Sequence, residues 1–352
     1  MSSSAAPCAV ENIGAKARLY VADKAFAYLL GKEQPAKLSQ VVKNVAMAEV
    51  DNRLVKYVMQ QDERFECLDR RWVTSLRLGE SGRPFEQLVE KAMKFAGSCV
   101  GLEQLSKELA VIYGKSADYY NESIPRFIKS KSKFFEMDGK YGNSAWQLEV
   151  TSDEEEDVLF DNDLTRDCLT KCLTGCPEAT WDYDDYASGV EKIVSGCPGI
   201  SIIMLAFLAW RTLTDEFDSY DFYSQVVKSD KLLVLSDGGV YSVAVIKEFK
   251  ESLVEISKNL AELPEEAEEE EEEEVVTVTD MDKEEIINLI ISKGSDGAEE
   301  LLAAVLEVEP NEPAYAGALE SLKEALEGDE RIMWAGGTRW SKAVIFPDEI
   351  MF

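Results

Sequence analysis

The sequence predicts a mostly helical α+β chain in which four similar segments follow one another. One pattern recurs four times: helical stretches with periodic apolar residues, a short charged break, and two short strands joined by a tight polar turn. Hydrophobic residues make up 45% and aromatic residues 9% of the 352 residues, which is enough to build ordinary cores. Acidic stretches separate some of the segments and are expected to act as linkers.

Each segment contains three apolar stripes at helical spacing. In chain order they cover 25–30, 38–45 and 54–59; 85–95, 102–113 and 124–128; 190–194, 202–213 and 222–227; and 286–291, 299–306 and 314–326. Asp282 and Glu285 predict a capping-box variant at the start of the fourth set. A further stripe over 245–263 predicts one connecting helix after the third segment.

A hairpin is expected at the end of each segment. Asp-Gly and Gly-Gly supply the positive φ angles that two-residue turns require, and the flanking aromatic and β-branched residues suit half-buried strands. Because a lone hairpin is marginal in water, each must pack on its helices. Four aromatic residues after the turns are expected to be equivalent and to close the small sheets: Trp72, Trp146, Tyr241 and Trp340. Three helices followed by a hairpin are typical of a winged helix, so the predicted architecture is a series of tandem winged-helix modules joined by acidic linkers.

The end of the first segment resembles the HARE-HTH module, a winged-helix domain found in the delta subunit of bacterial RNA polymerase and in chromatin- and restriction-associated proteins. The residues that carry the resemblance are Arg64, Phe65, Leu68, Trp72 and Leu76. A looser match lies in the second segment, at Lys133, Phe134, Met137, Trp146 and Leu148. The delta subunit also joins a winged helix to an acidic tail. The chain departs from that pattern by having four copies and acidic residues inside the later ones. The resemblance implies a transcription- or DNA-associated role.

The net charge of −31 is unevenly distributed. Residues 1–150 hold 22 basic and 19 acidic residues, whereas residues 151–352 hold 15 and 49. The first part can therefore approach a phosphate backbone and the second would be repelled by one. The predicted boundaries are 1–80, 81–151, 184–263 with a trailing helix, and 281–352 for the four modules, with an acidic linker over 152–183 and a poly-glutamate linker over 264–280 that contains seven consecutive glutamates.

Several classes of function are disfavoured by what the sequence lacks. The chain has no histidine, which excludes Ser-His-Asp and Cys-His triads and every histidine-bound metal site. No apolar run is long enough to cross a bilayer, and the N-terminal residues lack the features of a signal peptide. We therefore expect a non-enzymatic protein without a cofactor, a membrane contact or a small-molecule substrate, in the cytoplasm (associated with the nucleoid) or in the nucleus.

Two basic clusters are the candidate nucleic-acid contacts. The stronger lies at the end of the third helix of module 2 and in its hairpin, and the weaker lies at the equivalent place in module 1. Their members are Arg126, Lys129, Lys131, Lys133 and Lys140, and Arg53, Lys56, Arg70 and Arg71. Phosphate contacts would be made at this place in a winged helix. The alternatives are a solvated basic face or a docking place for the acidic part of the chain.

Three further groups of residues have a chemical and a structural interpretation. Cys168, Cys172 and Cys176, spaced four apart, could form a thiolate metal site with Cys197, but Cys-x-x-Cys spacing is absent and buried structural cysteines are favoured. The acidic run around Asp182, Asp184 and Asp185 is interpreted as an exposed segment leading into module 3. Residues 215–222, where acidic and aromatic residues alternate, are expected to form an interaction surface.

The leading hypothesis is a winged-helix protein of a DNA- or transcription-associated assembly. Residues 1–150 would contact DNA or RNA through phosphates, and residues 151–352 would bind protein. The alternatives are a pure protein-interaction scaffold, an acidic nucleic-acid mimic, and an enzyme in the case that the cysteines bind metal.

Overall fold

The computed structural model describes residues 12–45, 47, 50–78, 84–262, 276–308, 310, 312 and 314–343. The predicted class is confirmed at the level of an α+β protein that is mostly helical and has small three-stranded sheets. The chain divides into two compact units between Glu262 and Leu263. Unit 1 contains three repeats of the helix and strand pattern, and unit 2 contains the fourth.

Each repeat has the same order of elements. Repeat 1 comprises α1 (Ile13–Leu29), β1 (Ala36–Lys37), α2 (Leu38–Val45), α3 (Asn52–Gln60), β2 (Phe65–Leu68) and β3 (Arg71–Thr74), followed by a 3₁₀ turn (Ser75–Arg77). Repeat 2 comprises α4 (Phe85–Ala96), β4 (Val100–Gly101), α5 (Leu102–Tyr113), α6 (Ala117–Lys129), β5 (Phe134–Met137) and β6 (Lys140–Asn143), followed by a 3₁₀ turn (Ser144–Trp146).

The second half of the chain adds two helices before repeat 3 and one after it. These additions are α7 (Glu155–Asp161), α8 (Arg166–Gly175) and α12 (Val245–Glu262). Repeat 3 itself comprises α9 (Tyr186–Gly196), β7 (Ile200–Ser201), α10 (Ile202–Leu213), α11 (Ser219–Lys228), β8 (Leu232–Val234) and β9 (Gly239–Ser242). Repeat 4 comprises α13 (Asp280–Lys293), β10 (Ser295–Gly297), α14 (Ala298–Leu301) continued by a π-helical turn (Leu302–Leu306), α15 (Tyr315–Leu326), β11 (Ile332–Gly336) and β12 (Arg339–Lys342).

Side chains at the helix starts explain where several helices begin. The Asp51 carboxylate accepts the amide of Leu54 at 2.8 Å, and the Ser201 hydroxyl accepts that of Met204 at 3.2 Å. The predicted cap of α13 was placed on the wrong pair. The capping box is formed by Thr279 and Asp282, which each bond the other's backbone amide.

Every sheet has the same antiparallel order, with the last strand of the repeat in the centre. The short first strand, which the apolar pattern did not predict, pairs with that central strand: Ala36 with Trp72, Val100 with Tyr141, Ile200 with Val240, and Asp296 with Trp340. This register corrects the predicted equivalence of four aromatic residues. Trp146 lies in the 3₁₀ turn after its hairpin, and Tyr241 is one residue beyond the position of Trp72, so it faces the other side of its sheet.

Backbone geometry at the turns agrees with the residues found there. Asp138 and Gly139 have φ of 51° and 74°, and Asp69 and Arg70 have 46° and 63°, which is the left-handed pair that a two-residue hairpin turn needs. The turn of repeat 4 uses Gly336 and Gly337, with φ of 100° and 63°. Glycine adopts these angles without the steric cost that Arg70 bears.

Hairpins 2 and 3 in unit 1 each contribute to two cores, because successive side chains of a strand point to opposite faces. The hairpins are numbered by their repeats, so that hairpin 2 is β5 with β6 and hairpin 3 is β8 with β9. The first core is built mainly from repeats 1 and 2 with α12, and the second mainly from α7, α8 and repeat 3. In hairpin 2, Phe134 and Tyr141 pack into the first core, whereas Met137 belongs to the second core and Phe135 packs against it. We call the side that carries Phe135 and Met137 the outer face of the hairpin.

Hairpin 3 shows the same division in reverse. Its Leu232 and Val240 belong to the second core, whereas Leu235 and Tyr241 on its outer face belong to the first, where Tyr241 meets Phe249 of α12 at 5.8 Å between ring centroids. The repeats of unit 1 are therefore fused through their hairpins.

The segment predicted as an acidic linker over 152–183 contains two helices with buried residues. Val158 and Leu159 of α7 and Leu169 of α8 lie in the second core. At the other predicted linker, Glu268–Glu274 lies outside the described residues, but Val276 and Val278 pack in the core of unit 2. The predicted connecting helix corresponds to α12, which packs along α1 and α3 of repeat 1.

A buried ion pair joins all three repeats of unit 1. The Arg64 side chain, at 5% exposure, donates to Asp62 at 2.7 Å, to Asp23 of α1 at 2.8 Å and to the Phe95 carbonyl of α4 at 3.0 Å. Asp23 also accepts the backbone amide of Ser236, in the turn of hairpin 3, at 2.9 Å. Burial raises the pKa of the Asp23 carboxyl, although the hydrogen bonds from Ser236 and Arg64 oppose the shift.

A second buried carboxylate links repeats 1 and 2. Glu108 of α5 accepts the Gly31 amide at 2.9 Å, the Thr74 hydroxyl, and the Arg77 guanidinium at 2.9 and 3.0 Å. Its position at 2% exposure means that every lone pair needs a protein partner, and these donors supply them.

Arg64→Ala should destabilise unit 1 by about 3–5 kcal/mol, because it leaves Asp23 buried without its cation. The matched control is Arg331→Ala in unit 2, where the arginine of the same Asp-x-Arg motif is 44% exposed and the loss should be much smaller. Hydrogen–deuterium exchange, resolved to peptides of each unit, measures both. If the two substitutions lowered the stability of their units equally, the role given to the buried Arg64–Asp23 pair would be contradicted.

Phe135→Ser should cost unit 1 about 2–4 kcal/mol, because it removes an aromatic ring from the contact between repeats 2 and 3. Met333→Ser changes the equivalent position of hairpin 4, which is 50% exposed, and should alter stability by no more than about 0.5 kcal/mol. Urea unfolding followed by circular dichroism gives both values. A Phe135→Ser chain as stable as the parent would show that the repeats are not fused there.

Candidate nucleic-acid interface

The third helices of the three repeats in unit 1 have different surroundings. In repeat 1, α3 packs on α12, and Ser257 donates to Asp51 at its start at 3.2 Å. In repeat 2, α6 packs on α5 and β5 of its own repeat and leaves Tyr119, Glu122, Arg126 and Lys129 exposed. Of these two helices, α6 presents the longer row of exposed polar side chains.

In repeat 3 the third helix is covered by the hairpin of repeat 2. Tyr223 of α11 stacks on Trp146 at 6.1 Å between centroids and meets Phe135 edge-on at 5.3 Å. Tyr220 donates to the Glu136 carbonyl at 3.2 Å. Burial raises the pKa of Tyr223, whose hydroxyl lies beside Cys99. This helix is therefore committed to contacts within the chain.

Five of the nine predicted contact residues have exposed cations without a charged or hydrogen-bonded partner among the described residues. They are Arg53, Lys56, Arg70, Lys129 and Lys131. The first three lie on α3 and in the turn of hairpin 1, and the last two lie at and just after the end of α6. Cations in this state can accept a phosphate without breaking an internal ion pair.

The other four predicted residues are more constrained. Arg126 pairs with Glu122 along α6 at 3.2 Å, and Lys133 pairs with Glu90 of α4 at 2.5 Å. Arg71 is half-buried in β3, and Lys140 is exposed beside Cys99. The Lys133 pairing could not be predicted from the sequence, because Glu90 comes from a helix far away along the chain.

Two cationic side chains near this surface were missed. Lys115 lies over the ring of exposed Tyr119 at 4.1 Å and lowers the pKa of that hydroxyl through their hydrogen bond. Lys228 of α11 pairs with Asp138 in the turn of hairpin 2 at 2.7 Å. Only the docking of repeat 3 on repeat 2 brings Lys228 there, so no local sequence signal could have identified it.

Acidic residues singled out in the sequence act as helix caps. Asp185 accepts the amide of Ser188 at the start of α9, and the hydrogen bonds from Ser188 lower its pKa. At the start of α11, the Asp218 carboxylate accepts the amide of Asp221 at 2.7 Å. The expected interaction surface over 215–222 is wrong in part, because Phe222 is buried and Phe217 packs on Tyr186 in the second core.

Among the described residues, no three or more cysteine or acidic side chains, those at 168, 172, 176 and 197 included, are grouped in a way that could hold a metal ion. Cys172 and Cys197 are buried in the second core, Cys176 is half-buried, and Cys168 is exposed on α8. Burial raises the pKa of the Cys172 thiol. The geometry agrees with the structural interpretation of the buried pair.

Comparisons with family models, with curated proteins and with solved structures found no match to this chain. Among the described helices, none combines the length and the apolar character that a membrane span requires.

The rate of alkylation should differ between exposed and buried thiols. Iodoacetamide at neutral pH should modify Cys67 and Cys168 rapidly and leave Cys172 and Cys197 unmodified until the protein unfolds, because the reagent cannot reach a thiol buried in the core. Burial also raises the pKa of the Cys172 thiol, which slows its reaction further. Peptide mass spectrometry with time measures each site. Fast labelling of Cys197 in the folded protein would contradict its placement in the core.

Proposed function

We propose that the chain is a non-enzymatic tandem winged-helix protein of a DNA- or transcription-associated assembly. The order of elements in all four repeats supports this, since a short strand follows the first helix and a hairpin follows the third, and the central strand pairs with both others. Residues 1–150, and repeat 2 in particular, would contact nucleic acid, and the acidic residues 151–352 would bind protein.

The observation that carries the nucleic-acid proposal is the state of α6. In winged-helix proteins the third helix and the hairpin reach the phosphates. Here α6 is exposed along its outer side and ends at Lys129, and Lys131 follows two residues later. Both cations are without a partner among the described residues. Contacts of this kind position a protein on the backbone and read little sequence.

A pure protein-interaction scaffold is the second candidate. It is favoured by the way α11 and the outer faces of hairpins 2 and 3 are used, since each already makes protein contacts within unit 1. On this alternative the basic end of α6 would be a solvated surface.

Binding of duplex DNA to the full chain distinguishes the nucleic-acid proposal from the pure scaffold. A fragment of residues 1–150 is unsuitable, because it would lack α11 and α12 and expose the surfaces that they cover. Lys129→Glu with Lys131→Glu should weaken binding at low salt and reduce the slope of log K against log salt by about 2.

The matched control is Lys171→Glu with Lys192→Glu, which makes the same charge change at two other exposed positions of unit 1. Binding that is equally weakened by both pairs would indicate an effect of total charge alone. Absence of binding by the parent chain at low salt would favour the scaffold.

A further inference from the structure

The helix α7, inserted before repeat 3, presents a phenylalanine to solvent. Phe160 is 83% exposed, more than any other large apolar side chain among the described residues. The two residues before it, Val158 and Leu159, are buried in the second core. Because single exposed apolar residues are common on protein surfaces, the surroundings of Phe160 decide what its exposure indicates.

Contacts at both ends hold α7 in place. At its start, Arg211 of α10 pairs with Glu155 at 2.9 Å. Just beyond its end, the Asn162 side chain accepts the backbone amide of Glu149 and donates to the carbonyl of the same residue, both at 2.8 Å. The Phe160 ring is therefore displayed by a helix that is anchored at both ends and buried on its other side.

Carboxylates surround this ring. Residues 153–167 contain eight acidic residues and one basic residue, Arg166, which pairs with Glu156. Asp157 precedes Phe160 by three residues and Glu156 precedes it by four, so all three side chains lie on one face of α7, which we call its acidic face. Five exposed carboxylates of this segment have no charged or hydrogen-bonded partner among the described residues: those of Asp153, Glu154, Asp157, Asp163 and Asp167.

We propose that the acidic face of α7 binds a basic segment of a partner protein, in which lysine or arginine residues flank a large apolar side chain. The apolar side chain packs on the Phe160 ring, and the cations pair with Asp157 and the neighbouring unpaired carboxylates. Burial of the ring supplies affinity, and the carboxylates select a basic partner. The proposal rests on the protein-binding part of the proposed function and gives that function a surface.

Charge distinguishes this partner from three others. Nucleic acid and an anionic membrane would both bring negative charge against the unpaired carboxylates of residues 153–167. A second copy of the chain carries the same net charge of −31, so two copies repel each other as they approach. A basic segment of another protein is attracted by the carboxylates and can also cover the ring.

The test uses the full chain with the photo-crosslinker p-benzoyl-phenylalanine in place of Phe160, expressed in its native host. A control chain carries the crosslinker in place of Tyr119, an exposed aromatic residue of α6 that lies beside Lys115. After irradiation, the crosslinked peptide is identified by mass spectrometry. The expected product joins position 160 to a segment of another protein that has a net positive charge and a large apolar residue, and position 119 should not give it.

Removal of charge tests the carboxylates. Asp157→Asn with Asp163→Asn should lower the yield of the product several-fold, and asparagine tolerates the positive φ of 54° at position 163. The matched control is Glu251→Gln with Glu255→Gln on α12, which removes two charges from exposed positions elsewhere in unit 1 and should leave the yield unchanged.

Removal of the ring is tested on the crosslinked segment, synthesised as a peptide. Phe160→Ala should weaken binding of this peptide to the full chain about tenfold, as expected for a central aromatic residue of an interface. Because the ring is exposed, the substitution should leave the stability of the chain almost unchanged, which urea unfolding checks.

Several results would overturn the proposal. They are crosslinks from position 160 to a second copy or to nucleic acid, a crosslinked segment without net positive charge, a yield that the two pairs of substitutions change equally, a peptide affinity unaffected by Phe160→Ala, and no product beyond that from position 119.

DNA binding reports separately on the nucleic-acid part of the proposed function. The chain with Asp157→Asn and Asp163→Asn should bind duplex DNA at least as well as the parent, because it carries less negative charge. Loss of DNA binding in the Lys129 and Lys131 variant bears only on repeat 2. Failure of the crosslink with DNA binding intact would therefore overturn the role of α7 alone.

Discussion

The alternation of side chains along a two-stranded ribbon is the constraint on which unit 1 depends. A ribbon has two faces and is marginally stable alone, so an apolar outer face must be covered by something other than its own helices. Hairpins 2 and 3 meet this requirement by using neighbouring repeats. The result is that Tyr241 and Met137 each stabilise a core in which a different repeat predominates. Three repeats that could have folded as separate domains form one compact unit.

One ion pair recurs in all four repeats, and its surroundings change its importance. A cation just before the hairpin meets a carboxylate of the first helix: Arg64 with Asp23, Lys133 with Glu90, Lys231 with Glu191, and Arg331 with Glu284. The last three pairs are largely exposed, and because solvent screens exposed charges, such pairs contribute little to stability. Arg64 and Asp23 lie where repeats 1, 2 and 3 meet, so the same local motif acts there as a connection between repeats.

Fusion of the repeats also determines which surfaces remain available. Repeat 3 commits α11 to hairpin 2, and α12 lies against α3. Exposed cations remain on α3, in the turn of hairpin 1 and on α6 in unit 1, and on the hairpin of unit 2, in a chain of net charge −31. Since these cations lie in different units, they can serve different partners, which is why nucleic-acid and protein binding are proposed for separate parts of the chain.

The sequence by itself determined the four repeats, most helix positions and the turns, because apolar periodicity and the φ requirement at Asp138 and Gly139 are local properties. It did not determine which aromatic residues are equivalent, since Trp146 and Tyr141 lie close together after the same turn and only strand register separates them. For the candidate site, Lys129 and Lys133 look alike in the sequence. The tertiary structure distinguishes them, because whether a cation is free depends on carboxylates that folding brings from distant positions.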